Sequence, residues 1–233
     1  MGAGGGASGG TGGAVGMDYA ASVLMDRPLA YYRLGESVGL FAINAAGPEK
    51  AIYSGVDLGQ TGAIAGDPNT AIRLRGMPGS NVALGDRFDF AGKAVFTFEL
   101  WVRPNQVDAE TRRIVDKSTP NGGYDAVFND NGLIFYRSDM SSNNADLATL
   151  HSVPLHAYSH VVVTFDGTEL KIYQDGNEAE SGPAMATLPD TMVPLTFGDG
   201  FDGDFDELAI YDHALDPGRI AAHYLAARGS AAP

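Results

Sequence analysis

The chain is expected to be all-β, an antiparallel sandwich or barrel. Short runs with period-two alternation of apolar residues recur from Thr70 onward. Turn residues separate them at close spacing, and no strand–helix–strand alternation suggests a parallel sheet. The alternation is clearest in Val95–Val102, where Phe96, Phe98, Leu100 and Val102 share one face and Thr97, Glu99 and Trp101 the other.

Residues 1–16, MGAGGGASGGTGGAVG, hold nine glycines and read as a flexible arm. Their G-x-G-x-x-G match at Gly4, Gly6 and Gly9 follows no strand, so it is not a dinucleotide fingerprint. Tyr19–Met25 is expected as a short helix that stops before Pro28, and LAYYRL (29–34) as a strand. TAIRL, NVAL, AVFTFELWVRP, TRRIVDK, YDAVFND, GLIFYRS, LATL, SHVVVTFDG, TELKIYQDG and PLTFGDG are the main strand runs after that. Asp166–Gly167 and Asp175–Gly176 fall where two-residue hairpin turns need left-handed backbone. A closing helix follows, with Asp216 as N-cap, Pro217 at its first position and Leu215 and Ile220 as a hydrophobic staple. Ile220, Tyr224 and Ala227 share its apolar face, and residues 229–233 form a tail.

Composition narrows the function. The 233 residues are 44% hydrophobic, enough for a sizeable core, and carry a formal net charge of −14. That sign argues against binding nucleic acid or an anionic membrane surface. With no cysteine, disulfides, zinc–thiolate sites and thiol catalysis are excluded. No apolar stretch has the length of a membrane span, and no N-x-[ST] sequon occurs. The N-terminal arm lacks the basic and apolar regions of a signal peptide. His151, His156, His160, His213 and His223 show no close metal spacing, and the G-x-S-x-G matches at residues 6–10 and 35–39 lack the strand–turn–helix context of a nucleophile elbow. Trp101 and the Tyr31–Tyr32 pair are read as packing residues, whereas the polar loops at 129–132 and 139–146 suit a sugar or protein contact.

FTFELWVRP (96–104), HVVVTFDGTELKIYQDG (160–176) and FDGDFDELAIYDHALDPGRIAAHY (201–224) resemble the concanavalin A-like, laminin G-type domains, as do PLAYYRLGES and VDLGQTGAIAGDPNTAIRL. The resemblance covers roughly residues 19–228, in the family's order. It implies a two-sheet antiparallel jelly roll with a short C-terminal helix and adjacent terminal strands. It places the domain at 17–228 and puts His160 at a position preceding a core strand. Many such domains hold a structural calcium through an acidic residue of the last strand and an Asp/Asn-rich loop after the first. Asp206 matches the former and Asn44 the latter, but the loop INAAGPEKA departs from the family pattern at Ala46, Pro48 and Lys50, and Lys50 offers a positive charge of its own.

The acidic run Asp202, Asp204, Asp206, Glu207 admits three readings. An EF-hand fails because Glu207 stands at the turn glycine and His213 at the twelfth position. A glycosidase pair on one strand fails because Leu208 and Ala209 occupy the place of the second carboxylate. Parity puts Asp206 on the face of Leu208 and Ile210, so a structural carboxylate remains, held either by calcium or by backbone N–H groups of the Asn44 loop.

The expected function is therefore non-enzymatic. The family works mostly outside cells and the chain shows no export signal, which a virion does not need. The opening YAASVLMDRPLAYYRLGE also resembles laminin G-like domains of phage tail and bacterial surface proteins. Together these suggest a virion component, a minor tail or capsid decoration protein. It is expected to be oligomeric in its assembly, anchored through the arm and able to bind host-surface glycan. The alternative is a carbohydrate-binding module of a secreted or cell-surface protein.

Overall fold

The computed structural model describes residues 18–106, 112–129, 132–139, 145–149 and 153–229. The arm at 1–16, the tail beyond Gly229, and most of the loops at 129–132 and 139–146 lie outside these.

One sheet comprises β1 (Ala30–Tyr32), β4 (Asp57–Thr61), β5 (Thr70–Arg75), β7 (Phe96–Pro104), β12 (Ser159–Phe165), β13 (Glu169–Gln174), β14 (Asn177–Pro183) and β16 (Asp202–Tyr211). Its strand order is β14-β13-β12-β7-β16-β5-β4, with β1 pairing the second half of β16. The other contains β2 (Phe41–Ile43), β3 (Lys50–Ser54), β6 (Asn81–Ala83), β8 (Arg112–Thr119), β9 (Gly122–Asn129), β10 (Gly132–Ser138), β11 (Ala145–Ala148) and β15 (Thr196–Phe197). Its order is β11-β10-β9-β8-β15-β6-β3-β2. All pairings are antiparallel. The result is the two-sheet jelly-roll sandwich that the sequence predicts.

Alternation works as expected on β7. Phe96, Phe98, Leu100 and Val102 enter the core between the sheets, where Phe96, Phe98, Tyr124 and Phe135 pack ring against ring at centroid separations of 5.2–6.4 Å. Trp101 points the other way, into a second apolar layer formed with α1 (Tyr19–Met25) and α2 (Pro217–Ala227). Asp18 caps α1 through Ala21 N, and Asp216 caps α2 through Gly218 N. Both helices thus cover the outer face of the β7–β16 sheet, here called the covered sheet.

The Asp175–Gly176 turn follows the sequence, with φ at 51° and 80°, whereas in the β12–β13 hairpin Asp166 pairs with Glu169 and the turn shifts to Gly167, at φ 100°, and Thr168. The strands missing from the expectation are β2, β3, β4 and β14. DLGQT and NEAESGP have little intrinsic strand preference and lie at sheet edges, so their pairing partners define them. At the edge formed by β2, Phe41, Ile43 and the neighbouring Ile52 stay half exposed, while Glu36 accepts hydrogen bonds from Ile43 N (2.8 Å) and Tyr53 Oη (2.6 Å).

Phe98→Ala is expected to lower unfolding free energy by about 3–5 kcal/mol, the range for deleting a buried phenyl ring, as read by urea denaturation.

Candidate functional site

The acidic run forms four separate attachments. Asp202 accepts from Asn105 Nδ2 at 2.8 Å. Asp204, fully buried, lies between Arg73 and Arg103 and accepts from Arg103 Nε at 2.6 Å. Asp206 Oδ2 accepts from Ala63 N at 2.7 Å. Glu207 accepts from Arg33 Nη2 at 2.7 Å and from the Tyr31 hydroxyl, while the same Arg33 nitrogen reaches Asp67 at 2.7 Å. The 62–69 loop approaches closely: a side chain on Gly62 would bring its Cβ to 2.5 Å from the Asn69 carbonyl oxygen.

This geometry corrects the parity reading. Asp206 lies opposite Trp101 and Ala209 opposite Glu99, so β16 carries an extra residue between them. Glu207 absorbs it at φ 55°, a left-handed conformation costing a non-glycine residue about 1–2 kcal/mol. Asp206 therefore shares the outer face with Trp101, while Leu208 and Ile210 remain in the inter-sheet core. Its loop partner is Ala63 and not the Asn44 segment. Asn44 Oδ1 instead accepts from Tyr31 N (2.8 Å) and Ala46 N (2.9 Å), joining its loop to β1.

These residues do not fit a calcium site. The one side-chain oxygen of Asn44 is committed to two N–H donors, and its buried Nδ2, which has no hydrogen-bond partner, cannot ligate a cation. Positive charge beside Asp206 and Glu207 already comes from the Arg33 guanidinium. Among the described residues no three His, Asp or Glu side chains group to hold a metal ion. Burial, and then the charge of Glu207, hold the Asp206 carboxyl well above its ordinary range; burial also raises Glu207, against the pull of Arg33.

A second buried hub went unread in the sequence. Glu99, on the outer face of β7, accepts from Tyr19 Oη and Tyr211 Oη, each at 2.8 Å. His160 Nε2 lies 2.8 Å from it and His223 Nδ1 3.0 Å. Asp26 Oδ2 lies 2.9 Å from His223 Nε2, outside hydrogen-bond alignment, and also pairs with Arg219. The hub therefore binds α1 and α2 to β7, β12 and β16. Burial alone would raise Glu99, but the His223 charge and both histidine contacts hold it well below its usual value. Burial alone would lower His223; Glu99, with Asp26, overrides this and raises it. Trp101, Tyr31 and Tyr32 are fully buried, as packing residues should be.

The open sheet differs. Both helices lie on the covered sheet, so among the described residues no helix shields the outer face of the β11–β2 sheet. Register aligns Phe41, Ile52, Ala83, Thr196, Asp116, Asp125 and Tyr136 in one cross-strand row there. Seven strands at about 4.8 Å make a row roughly 29 Å long. Asp116 is held by Arg113 and by Ser118 N and Oγ. No side chain among the described residues hydrogen-bonds Asp125, and burial, then the Asp116 charge, push its pKa up to about 6.

Arg33→Met leaves Glu207 and Asp67 without their cation. It is expected to cost about 3 kcal/mol, the low end for breaking a buried pair because Arg33 stays partly exposed. EDTA and calcium chloride should leave the wild-type thermal midpoint unchanged in the same scans. The hub predicts a pH profile. The stabilisation from His223 is complete below its unfolded value near 6.5 and is lost as pH rises through its raised native value. That from Glu99 is complete above 4.5 and is lost as pH falls through its lowered native value. Urea midpoints should therefore decline as pH rises above about 6.5, and His223→Gln should flatten that decline.

Comparisons with known proteins agree with the architecture. The binding domain of Paraclostridial Mosquitocidal Protein 1 superposes with a TM-score of 0.68 at 16% identity, over 86% of this chain and 52% of that one. Domain 4 of AbnA, a GH43 extracellular arabinanase from Geobacillus stearothermophilus, solved with arabinotriose, gives 0.60 at 24% identity, over 85% of this chain and 98% of that one. The botulinum neurotoxin serotype D binding domain, solved with N-acetylneuraminic acid, gives 0.64 at 12% identity, over 87% of this chain and 52% of that one. The chain thus spans about half the length of the toxin domains, and at these identities the likeness is one of fold. No curated protein is similar enough in sequence to count as a relative. The model of the concanavalin A-like lectin/glucanase superfamily, laminin G type, matches residues 76–221, more than half of the 233, and the chain belongs to that family.

Proposed function

We propose that the protein is a non-catalytic recognition module that binds glycan on the open face of its β11–β2 sheet. The observation that carries this reading is the division of labour between the sheets. One outer face is covered by helices and locked by buried charge. The other presents apolar, hydroxyl and carboxylate side chains in a single row. Such a row suits an extended sugar chain, whose C–H faces pack on Phe41 and Ile52 while its hydroxyls donate to Asp125. The similarity in fold to a domain solved with arabinotriose and to one solved with N-acetylneuraminic acid supports the ligand class.

A binding role without turnover is supported by the state of the carboxylates. Asp204 and Asp206 are occupied by arginines and a backbone N–H, and Asp116 by Arg113 and Ser118. In this reading residues 1–16, with nine glycines, tether the module to a larger assembly, and a virion is the assembly we favour over a cell surface.

The test is a glycan array followed by calorimetry on the best hit. Asp125→Asn and Phe41→Ala should each weaken binding roughly five- to thirtyfold, about 1–2 kcal/mol. The wild type should release no reducing sugar from the bound glycan. Unchanged affinity in both variants would place recognition elsewhere.

A further inference from the structure

The covered sheet has a cleft of about 200 Å³ between the β12–β13 hairpin and the connection from β16 into α2. Thr164 lines it. This side chain lies on the outer face of β12, opposite Thr97 and Lys171, and its residue is only 4% exposed. Thr97 Oγ1 is fully used, donating to His213 O at 2.7 Å and accepting from Leu215 N at 3.0 Å. The Thr164 hydroxyl makes no hydrogen bond to any described residue. In an otherwise packed residue, it is an unpaired donor and acceptor that opens to the cleft.

The walls differ in chemistry. Leu215 and Pro217 supply an apolar side, and the Tyr173 ring, 2% exposed, adds to it. Asp166, Glu169 and Lys171 supply the polar side, and Lys171 is 3.4 Å from both Glu169 and Glu178. One ammonium against the three carboxylates of Asp166, Glu169 and Glu178 leaves the cleft no attraction for an anion. Its volume is below the roughly 300–1,000 Å³ of sites for drug-sized ligands, so it suits a single ring. A ring with one C–H face and several hydroxyls meets both walls and gives Thr164 its missing partner.

We propose that this cleft is a second binding site, specific for one neutral sugar ring and separate from the open face. It stands on the cleft alone and does not depend on glycan binding at the open sheet.

The experiment is amide NMR on the full chain, titrated with the methyl pyranosides of galactose, glucose and mannose. Each is raised to about 0.1 M, where a site with millimolar Kd saturates. At least one should give saturable shifts at the amides of Thr164, Lys171 and Leu215. Thr164→Val, which keeps the shape and removes the hydroxyl, should weaken that titration roughly three- to tenfold. Asp125→Asn, on the other sheet, should leave it unchanged. If Thr164→Val does not fold, Ala214→Trp, which fills the cleft from its rim, should abolish the shifts. The proposal is overturned if no pyranoside shifts these amides, or if the folded Thr164→Val or Ala214→Trp protein titrates like the wild type. Binding that follows Asp125 but never touches these amides would retain the open-face reading and remove this one.

Discussion

One extra residue in the central strand β16 governs how the covered sheet is built. Glu207 accommodates it in a left-handed conformation, and the strand changes partners there: Asp202–Phe205 pair with β5, whereas Leu208–Ile210 pair with β1. Two acidic side chains in succession are thereby buried near the same junction, away from the inter-sheet core. Carboxylates placed there must be answered locally, since burying them alone costs several kcal/mol. Arg33, Tyr31, Ala63 and Asn69 give that answer from β1, its flank and the 62–69 loop, so closure of the sheet and neutralisation of the charge are one event.

The Glu99 hub repeats the principle one layer higher. A buried anion surrounded by two tyrosines and two histidines fixes where the helices rest, because each donor has one direction in which it is satisfied. Apolar packing of Trp101 against Tyr224, with ring centroids 6.0 Å apart, adds area but little direction. The polar contacts supply the register and the aromatic contacts much of the stabilising burial.

Much of this architecture was readable in the sequence. Strict alternation on β7 and the Asp175–Gly176 turn depend on local chemistry and appear as written. The edge strands β4 and β14 do not, because pairing and not propensity creates them. The fate of Asp206 was misread for a definite reason: parity was carried through an inserted residue. A signal existed. Under unbroken alternation, each face of Asp204–Ile210 mixes acids with apolar residues, which one extra residue resolves. His223 was missed because a histidine on a helix's apolar face has meaning only once a buried anion opposite it is known. The open-face row was equally out of reach, since it joins residues from seven strands whose order no local pattern reveals.

The β2 edge carries a consequence of another kind. An apolar strip beside an unpaired strand normally invites a neighbouring chain to extend the sheet. Here the Glu36 carboxylate already holds the Ile43 N–H that an incoming strand would need, and it places a negative charge in that strand's path. Phe41, Ile43 and Ile52 can therefore stand half exposed beside this edge without the edge itself templating a further strand.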